Sequence, residues 1–463
     1  MNIVYCSPEV YPFSKTGGLA DVAGSLPLAL ANLGHKVLVI TPKYRGIRVA
    51  SKKIHPRVNV HFIRNDKYFD RANLYGVGSK DYKDNCQRFA YFCQESLKLL
   101  KDICFQPDII INNDWQTGLI GVYLKTIYKN DSFFDKTKSV FTIHNLAYQG
   151  LFPKESYHLL GLEGFGQFFE NLEFFGKISL LKGGLIASDL ITAVSPSYAK
   201  EIQTVEHGCG LENVLRKKSQ YLVGIVNGID YEVWNPAKDK YLAHKFSVDK
   251  LRMRASNKAE LQKIVKFDRK ADVPLFGMVT RLVEQKGLDI LSDALPQILK
   301  QDLQLVILGK GNATYEKYLK IMQKKYPKKL QALFEFSGSK ASLIYGGSDF
   351  FLMPSRYEPC GLGQMIAFRY GSIPVARRTG GLSDTILDID VHPTKGNGIL
   401  FEEYLPQALI GAMQRAVNLY SHNSKIHEIQ HRGMKLDFSW NRSAQDYELL
   451  FEDILSQTCL SSD

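Results

Sequence analysis

Short apolar runs rich in Ile and Val punctuate the first third of the chain: NIVYCS (2–7), KVLVITP (36–42), PDIIIN (107–112) and SVFTIHN (139–145). Stretches 20–33 and 118–129 between them carry apolar residues at helical spacing. Runs without strict alternation suit strands covered on both faces of a parallel sheet, and their alternation with helices predicts βαβ units. The theme restarts in PLFGMVTRL (274–282), LQLVILGKG (303–311), FEFSG (334–338), DFFLMPS (349–355) and SIPVARR (372–378). YLVGIVNGIDYEVWNP (221–236) separates the halves and contains Asn-Gly and Asn-Pro, both turn formers, so a hinge is expected there. FSWNRSAQDYELLFEDIL (438–455) reads as an amphipathic helix whose face is Tyr447, Leu450, Phe451 and Ile454.

The expected class is α/β, with two Rossmann-like doubly wound parallel-sheet domains facing a deep cleft. The first is expected over residues 1–226 and the second over 227–437, with a terminal helix in 438–463 packing back on the N-terminal domain. In open α/β sheets ligands sit outside the carboxyl ends of the strands, so residues just after strands are the ones to examine.

Bulk properties narrow the function. A chain of 463 residues exceeds one ordinary core, which agrees with two domains. The opening MNIVYCSPEVYPF lacks a basic leader and its apolar run is broken at Ser7, Pro8 and Glu9, so it reads as a first strand rather than a signal peptide. No window is long and apolar enough for a membrane span, and a cytoplasmic protein without a membrane partner is expected. Seven scattered cysteines with no C-x-x-C pair argue against a disulfide framework and a zinc site. The formal charge of +12 admits anionic partners, but the densest basic cluster, KKYPKK (324–329), reads as a solvated helix end, and no nucleic-acid module accompanies it.

Candidate chemistry gathers at strand ends. KTGGLADV (15–22) lets Gly17 and Gly18 bring backbone N–H groups toward an anion beside Lys15, and nearly the same phrase returns as RTGGLSDT (378–385). NDWQTG (113–118) and TIHNLAYQG (142–150) each close a strand, aiming Asp114 and His144 into the crevice. TRLVEQKG (280–287) sets Arg281 and Lys286 past the first strand of the second domain, where two cations suit a diphosphate. In PSRYEPCGLGQ (354–364), Glu358 can hold sugar hydroxyls while Gly361, Leu362 and Gly363 offer backbone donors; Cys360, with no paired base, reads as a packing residue in that turn. No His or carboxylate cluster has metal-ligand spacing, so no metal and no cofactor are expected.

These motifs, together with DKYFDR…LYG (66–76), LKGGLIASDLITAVSPSYAKEI (181–202) and GIVNGID, resemble the signatures of the bacterial glycogen synthase and plant starch synthase family, in that family's order and over essentially the whole chain. The resemblance implies a GT-B glycosyltransferase that moves glucose from ADP-glucose to the non-reducing end of an α-1,4-glucan with retention. The acceptor would be glycogen, starch or a maltooligosaccharide. UDP-glucose as donor, or a catalytically weak glucan-binding protein, are the alternatives. Carried over residue by residue, Lys15, Gly17, Gly18 and Asp21 would line the donor side, Asp114 and His144 would contact the glucosyl unit, and Asn227 would sit at the hinge side. Arg281 and Lys286 would bind the diphosphate, and Glu358 the transferring glucose, with Cys360 to Gly363 in the binding turn. Gly363 replaces a common Thr or Ser, Gln116 a common His, Ala72 a common Pro, and Cys209 an aromatic residue.

Overall fold

The first apolar run becomes the strand Asn2–Cys6 near the middle of an eight-stranded sheet. From one edge to the other the strands are Leu222–Gly224, Leu190–Ala193, Lys138–Ile143, Ile109–Asn113, Asn2–Cys6, Lys36–Pro42, Val58–Ile63 and Ser51–His55. All pairings are parallel except the last, an edge hairpin. The edge strand SKKIH is charged, which discourages pairing with another chain. Ile3, Val4, Ile109, Ile110, Ile111 and Val140 are fully buried because both faces are covered, which explains why these runs lack alternation.

This computed structural model describes residues 1–78 and 80–459 and divides into two units, one comprising residues 1–228 and the chain from Trp440 onward, the other Ile229–Ser439. The helix Trp440–Cys459 thus belongs to the first unit. Its Trp440, Ala444, Tyr447, Phe451 and Ile454 join one core cluster with Val22, Leu26 and Leu30 of the helix Gly18–Asn32 and with Ile3 and Val39 of the sheet.

The second unit holds a six-stranded, wholly parallel sheet in the order Leu330–Leu333, Gln304–Leu308, Leu275–Val279, Phe350–Met353, Ile373–Arg377, Ile399–Phe401. Numbered within the unit this is 3-2-1-4-5-6, the doubly wound order, with its switch between Leu275–Val279 and Phe350–Met353. The first unit has the same switch between Asn2–Cys6 and Ile109–Asn113. One sequence expectation fails: the third strand of the second unit is Leu330–Leu333, not FEFSG. Residues 334–337 lead instead into the helix Gly338–Gly347, where the Ser337 hydroxyl accepts from the Lys340 N–H as an N-cap, and Phe336 is exposed.

Beneath the second sheet, Asp349 accepts from Lys258 Nζ at 2.7 Å and lies 3.7 Å from Arg254, all three buried. Both cations also donate to backbone carbonyls, among them Val273 O and Tyr370 O, which is what makes such a buried group tolerable.

Phe451→Ala is expected to destabilise the first unit by about 3–5 kcal/mol, read as a lowered urea midpoint of its transition, since the ring is fully buried in the shared core. Leu449→Ala on the exposed face of that helix should move the midpoint little.

Candidate active site

In the first unit, the strand Ile109–Asn113 ends directly before Asp114, whose backbone sits at φ 56° and ψ −176°. That region is costly for a residue with a Cβ, on the order of 1–3 kcal/mol, and persists where surroundings over-determine it. They do: the Asp114 N–H donates to Thr142 O, and its Oδ1 accepts from the His144 N–H at 2.8 Å and the Asn145 N–H at 3.4 Å. The neighbouring strand of the sheet, Lys138–Ile143, thereby presents His144 beside Asp114. Burial pushes the Asp114 carboxyl up to about 7, opposed by these two backbone bonds, and pushes the His144 imidazole down to about 3. The site carries a neutral imidazole and a carboxyl that is half protonated near neutral pH.

The turn before the helix Gly18–Asn32 differs from expectation. Glu9, 4% exposed, accepts from the Gly17 N–H at 3.3 Å, from the Thr16 N–H and hydroxyl, and from the Tyr75 hydroxyl at 3.0 Å. The Gly17 N–H is therefore not bare; the chain supplies its own carboxylate to the turn. Lys15 and Asp21 pair with each other at 2.6 Å, both exposed. Asn227 is buried in the same unit, and its Oδ1 has no hydrogen-bond partner.

In the second unit, Lys286 Nζ donates to Glu358 Oε2 at 2.6 Å, and the Ser355 hydroxyl adds a bond at 3.0 Å. The pair stands at the sheet's switch point, Lys286 following the first strand and Glu358 the fourth. Two interlocked loops hold it. Gly287 has φ +76°, and a Cβ there would lie 1.9 Å from Pro354 O, while the Arg356 N–H donates to Gln285 O at 2.9 Å. Arg281 is exposed, with one bond to Gln285 at 3.4 Å, and so remains available to an incoming anion.

The second Thr-Gly-Gly turn packs directly against the backbone of Glu358. Gly380 has φ +45°, and a Cβ there would lie 2.0 Å from Glu358 O; the Gly381 N–H donates to that same oxygen at 3.0 Å. Cys360 is buried, and its carbonyl accepts from Gln364 Nε2 at 3.0 Å. Leu362 caps the short helix Gly363–Arg369. A Cβ on Gly363 would meet the Phe351 ring at 3.0 Å and Met353 Sδ at 3.4 Å, so a side chain here needs those two neighbours to give by a few tenths of an ångström.

The structure joins Asp114 with His144, Lys15 with Asp21, and Lys286 with Glu358. It adds three residues the sequence did not single out: Glu9, Ser355 and Asn113, whose Oδ1 lies 2.8 Å from His144 Nε2. Glu9 left one trace, an acid following an apolar strand in SPEVYP. Among the described residues no group of three or more His, Cys, Asp or Glu is set to hold a metal, and no helix is long and apolar enough to cross a membrane.

The family model described as starch synthase catalytic domain matches residues 2–217, and that described as glycosyl transferases group 1 matches residues 260–432. A glycogen synthase of Geotalea daltonii is 46% identical, covering 99% of this chain and 99% of its own length. A glycogen synthase of Moorella thermoacetica is 43% identical over 99% of this chain and 97% of its own. Among solved structures, the catalytic domain of starch synthase IV from Arabidopsis thaliana bound to ADP and acarbose superposes with a TM-score of 0.89 at 33% identity, covering 98% of this chain and 99% of that one. A sucrose-phosphate synthase from Thermosynechococcus elongatus shares the fold, with a TM-score of 0.65 at 16% identity.

The raised Asp114 value fixes a sign. Its carboxyl stabilises the fold fully below its unfolded value near 3.8, and that contribution is lost as pH rises through about 7. Asp114→Asn should shrink the loss of stability between pH 5 and 8 by on the order of 2 kcal/mol, measured by urea unfolding at both pH values. An unchanged slope would show that the carboxyl is not desolvated.

Proposed function

Because the chain belongs to the glycogen and starch synthase family of GT-B glycosyltransferases, we infer that it is a retaining glucosyltransferase that moves glucose from ADP-glucose to the non-reducing end of an α-1,4-glucan. The Lys286–Glu358 pair at a doubly wound switch point, beside an available Arg281, is the observation that carries this reading. The choice of ADP is supported by the ADP-bound starch synthase relative. Glycogen, starch or a maltooligosaccharide serves as acceptor.

Chemically, the step breaks the bond between the glucosyl anomeric carbon and the diphosphate. Negative charge develops on the departing phosphate oxygen, and Arg281 with Lys286 neutralises it through charge-assisted bonds. Glu358 holds the glucose hydroxyls, with the backbone of Cys360 to Gly363 shaping the turn. Asp114 and His144 meet the glucosyl unit; Lys15, Gly18 and Asp21 line the donor side, and Asn227 completes it.

Retention by double displacement needs a free carboxylate nucleophile. Glu358 is engaged by Lys286 and Ser355, and Asp114 by two backbone N–H groups. Each of these carboxylates keeps one oxygen outside those bonds. The same-face displacement, in which the leaving diphosphate takes the proton of the acceptor hydroxyl as the new glycosidic bond forms, therefore rests on the family resemblance and on Glu358 sitting among donor-binding groups rather than in an acid/base pair. The weak glucan-binding alternative predicts loss of the charged donor residues, and all are in place.

A donor-by-acceptor matrix of ADP-glucose and UDP-glucose against maltooligosaccharides and glycogen tests the reading. ADP-glucose should be turned over at least about tenfold faster. Lys286→Ala and Glu358→Ala should each lower kcat/KM by about 10²–10³; unchanged activity in either would overturn the assignment.

The two Thr-Gly-Gly turns make a further contrast. Both cations are exposed and ion-paired, Lys15 with Asp21 at 2.6 Å and Arg378 with Glu402 at 2.5 Å, so the contrast rests on the family's placing of Lys15 at the donor side. Initial rates should fall roughly 10²-fold in Lys15→Ala and by no more than about twofold in Arg378→Ala.

A further inference from the structure

We propose that Asn113 is a positioning residue that locks His144 as the Nε2–H tautomer, so that the bare Nδ1 accepts a hydrogen bond from a hydroxyl of the bound sugar. The hydrogen-bond pattern around Asn113 leaves no other assignment. Its side-chain amide nitrogen can only donate, and it donates to Cys6 O at 2.7 Å. The amide is thereby oriented, and its oxygen faces two groups: the Tyr5 hydroxyl at 3.1 Å and His144 Nε2 at 2.8 Å. An amide oxygen only accepts, so Nε2 must carry the ring proton.

Asn113 cannot swing away. It is fully buried, and as the last residue of the strand Ile109–Asn113 it is in register with Thr142 on one side, while its neighbour Asn112 pairs with Cys6 on the other. Burial also keeps the imidazole neutral. One ring nitrogen is then left, and among the described residues Nδ1 makes no hydrogen bond. A neutral ring with a fixed lone pair can accept from a hydroxyl and cannot act as a proton donor at that atom. His144 on this account selects an uncharged donor group, the hydroxyl of a sugar, and contributes nothing to the departing diphosphate.

The inference rests on the glucosyltransferase reading only for the identity of the hydroxyl. The tautomer can be observed in the full-length protein without substrate. With ¹⁵N-histidine labelling, and the His144→Asn variant to identify the resonances, His144 should show a protonated Nε2 and an unprotonated Nδ1. An Nδ1–H tautomer or an imidazolium would overturn the proposal. Asn113→Leu removes the acceptor and should release the ring into a mixture of tautomers; an unchanged spectrum would overturn the role of Asn113. Adding ADP-glucose should shift the Nδ1 signal while ADP alone should not, and equal effects of the two would overturn the sugar contact.

Kinetically, Asn113→Leu should lower kcat by about tenfold with ADP affinity retained. Loss of ADP binding in step with kcat would mark a merely structural role and count against positioning. Should the protein turn over no nucleotide sugar while the tautomer is as stated, the functional reading fails and the lock on the ring stands.

Discussion

A parallel sheet covered on both faces has nowhere to put polar chemistry except the ends of its strands, and this constraint organises the molecule. Strand interiors such as Ile109–Ile111 and Leu305–Ile307 are all but solvent-free, and their backbone groups are consumed by the ladder. Just beyond the last ladder residue the chain is released, and there Asp114, His144, Lys286 and Glu358 appear. Lys286 and Glu358 follow the two strands where the winding of the second unit reverses, and in the first unit Asp114 follows one strand of that pair and His144 the strand next to it; at such a switch the connections leave on opposite sides and open a crevice.

The two units solve the electrostatics of their strand ends differently. The first removes charge: desolvation holds His144 neutral and pushes Asp114 toward its acid form. The second keeps charge and pairs it, Lys286 against Glu358 with Ser355 in support. A desolvated, hydrogen-bonding end of reduced charge suits a sugar, whereas a pairable ammonium beside an available guanidinium suits a diphosphate. That division of labour is what the proposed reaction asks for.

The doubled phrase in KTGGLADV and RTGGLSDT shows how one local wording serves two structural ends. Both copies open a helix just after an extended segment. In the first, Glu9 draws in the Thr16 and Gly17 N–H groups. In the second, the glycines are needed because Glu358 and Cys360 leave no room for a Cβ at 380 or 381. The repeat speaks of similar architecture in the two units rather than of two ligands.

Much of this was legible in the amino-acid order. Ile- and Val-rich runs without alternation announce buried parallel strands, helical spacing at Tyr447, Phe451 and Ile454 announces a docked helix, and the motifs after the strands announce Asp114, His144, Lys286 and Glu358. These are local patterns, written by periodicity and by the turn chemistry of Gly, Asn and Pro. The strand at Leu330–Leu333 escaped because the alternating aromatic residues of FEFSG fit a strand better than Leu and Ala do, yet Ser337 as a helix cap ends the extended run early. What only the tertiary structure decided is which polar atoms face each other. Glu9 meets Thr16, Gly17 and Tyr75, and Asn113 bridges Cys6, Tyr5 and His144 across as many as 108 positions of sequence. Hydrogen bonds are satisfied between strands brought side by side by folding, and a local pattern carries no record of the neighbour a buried amide will find.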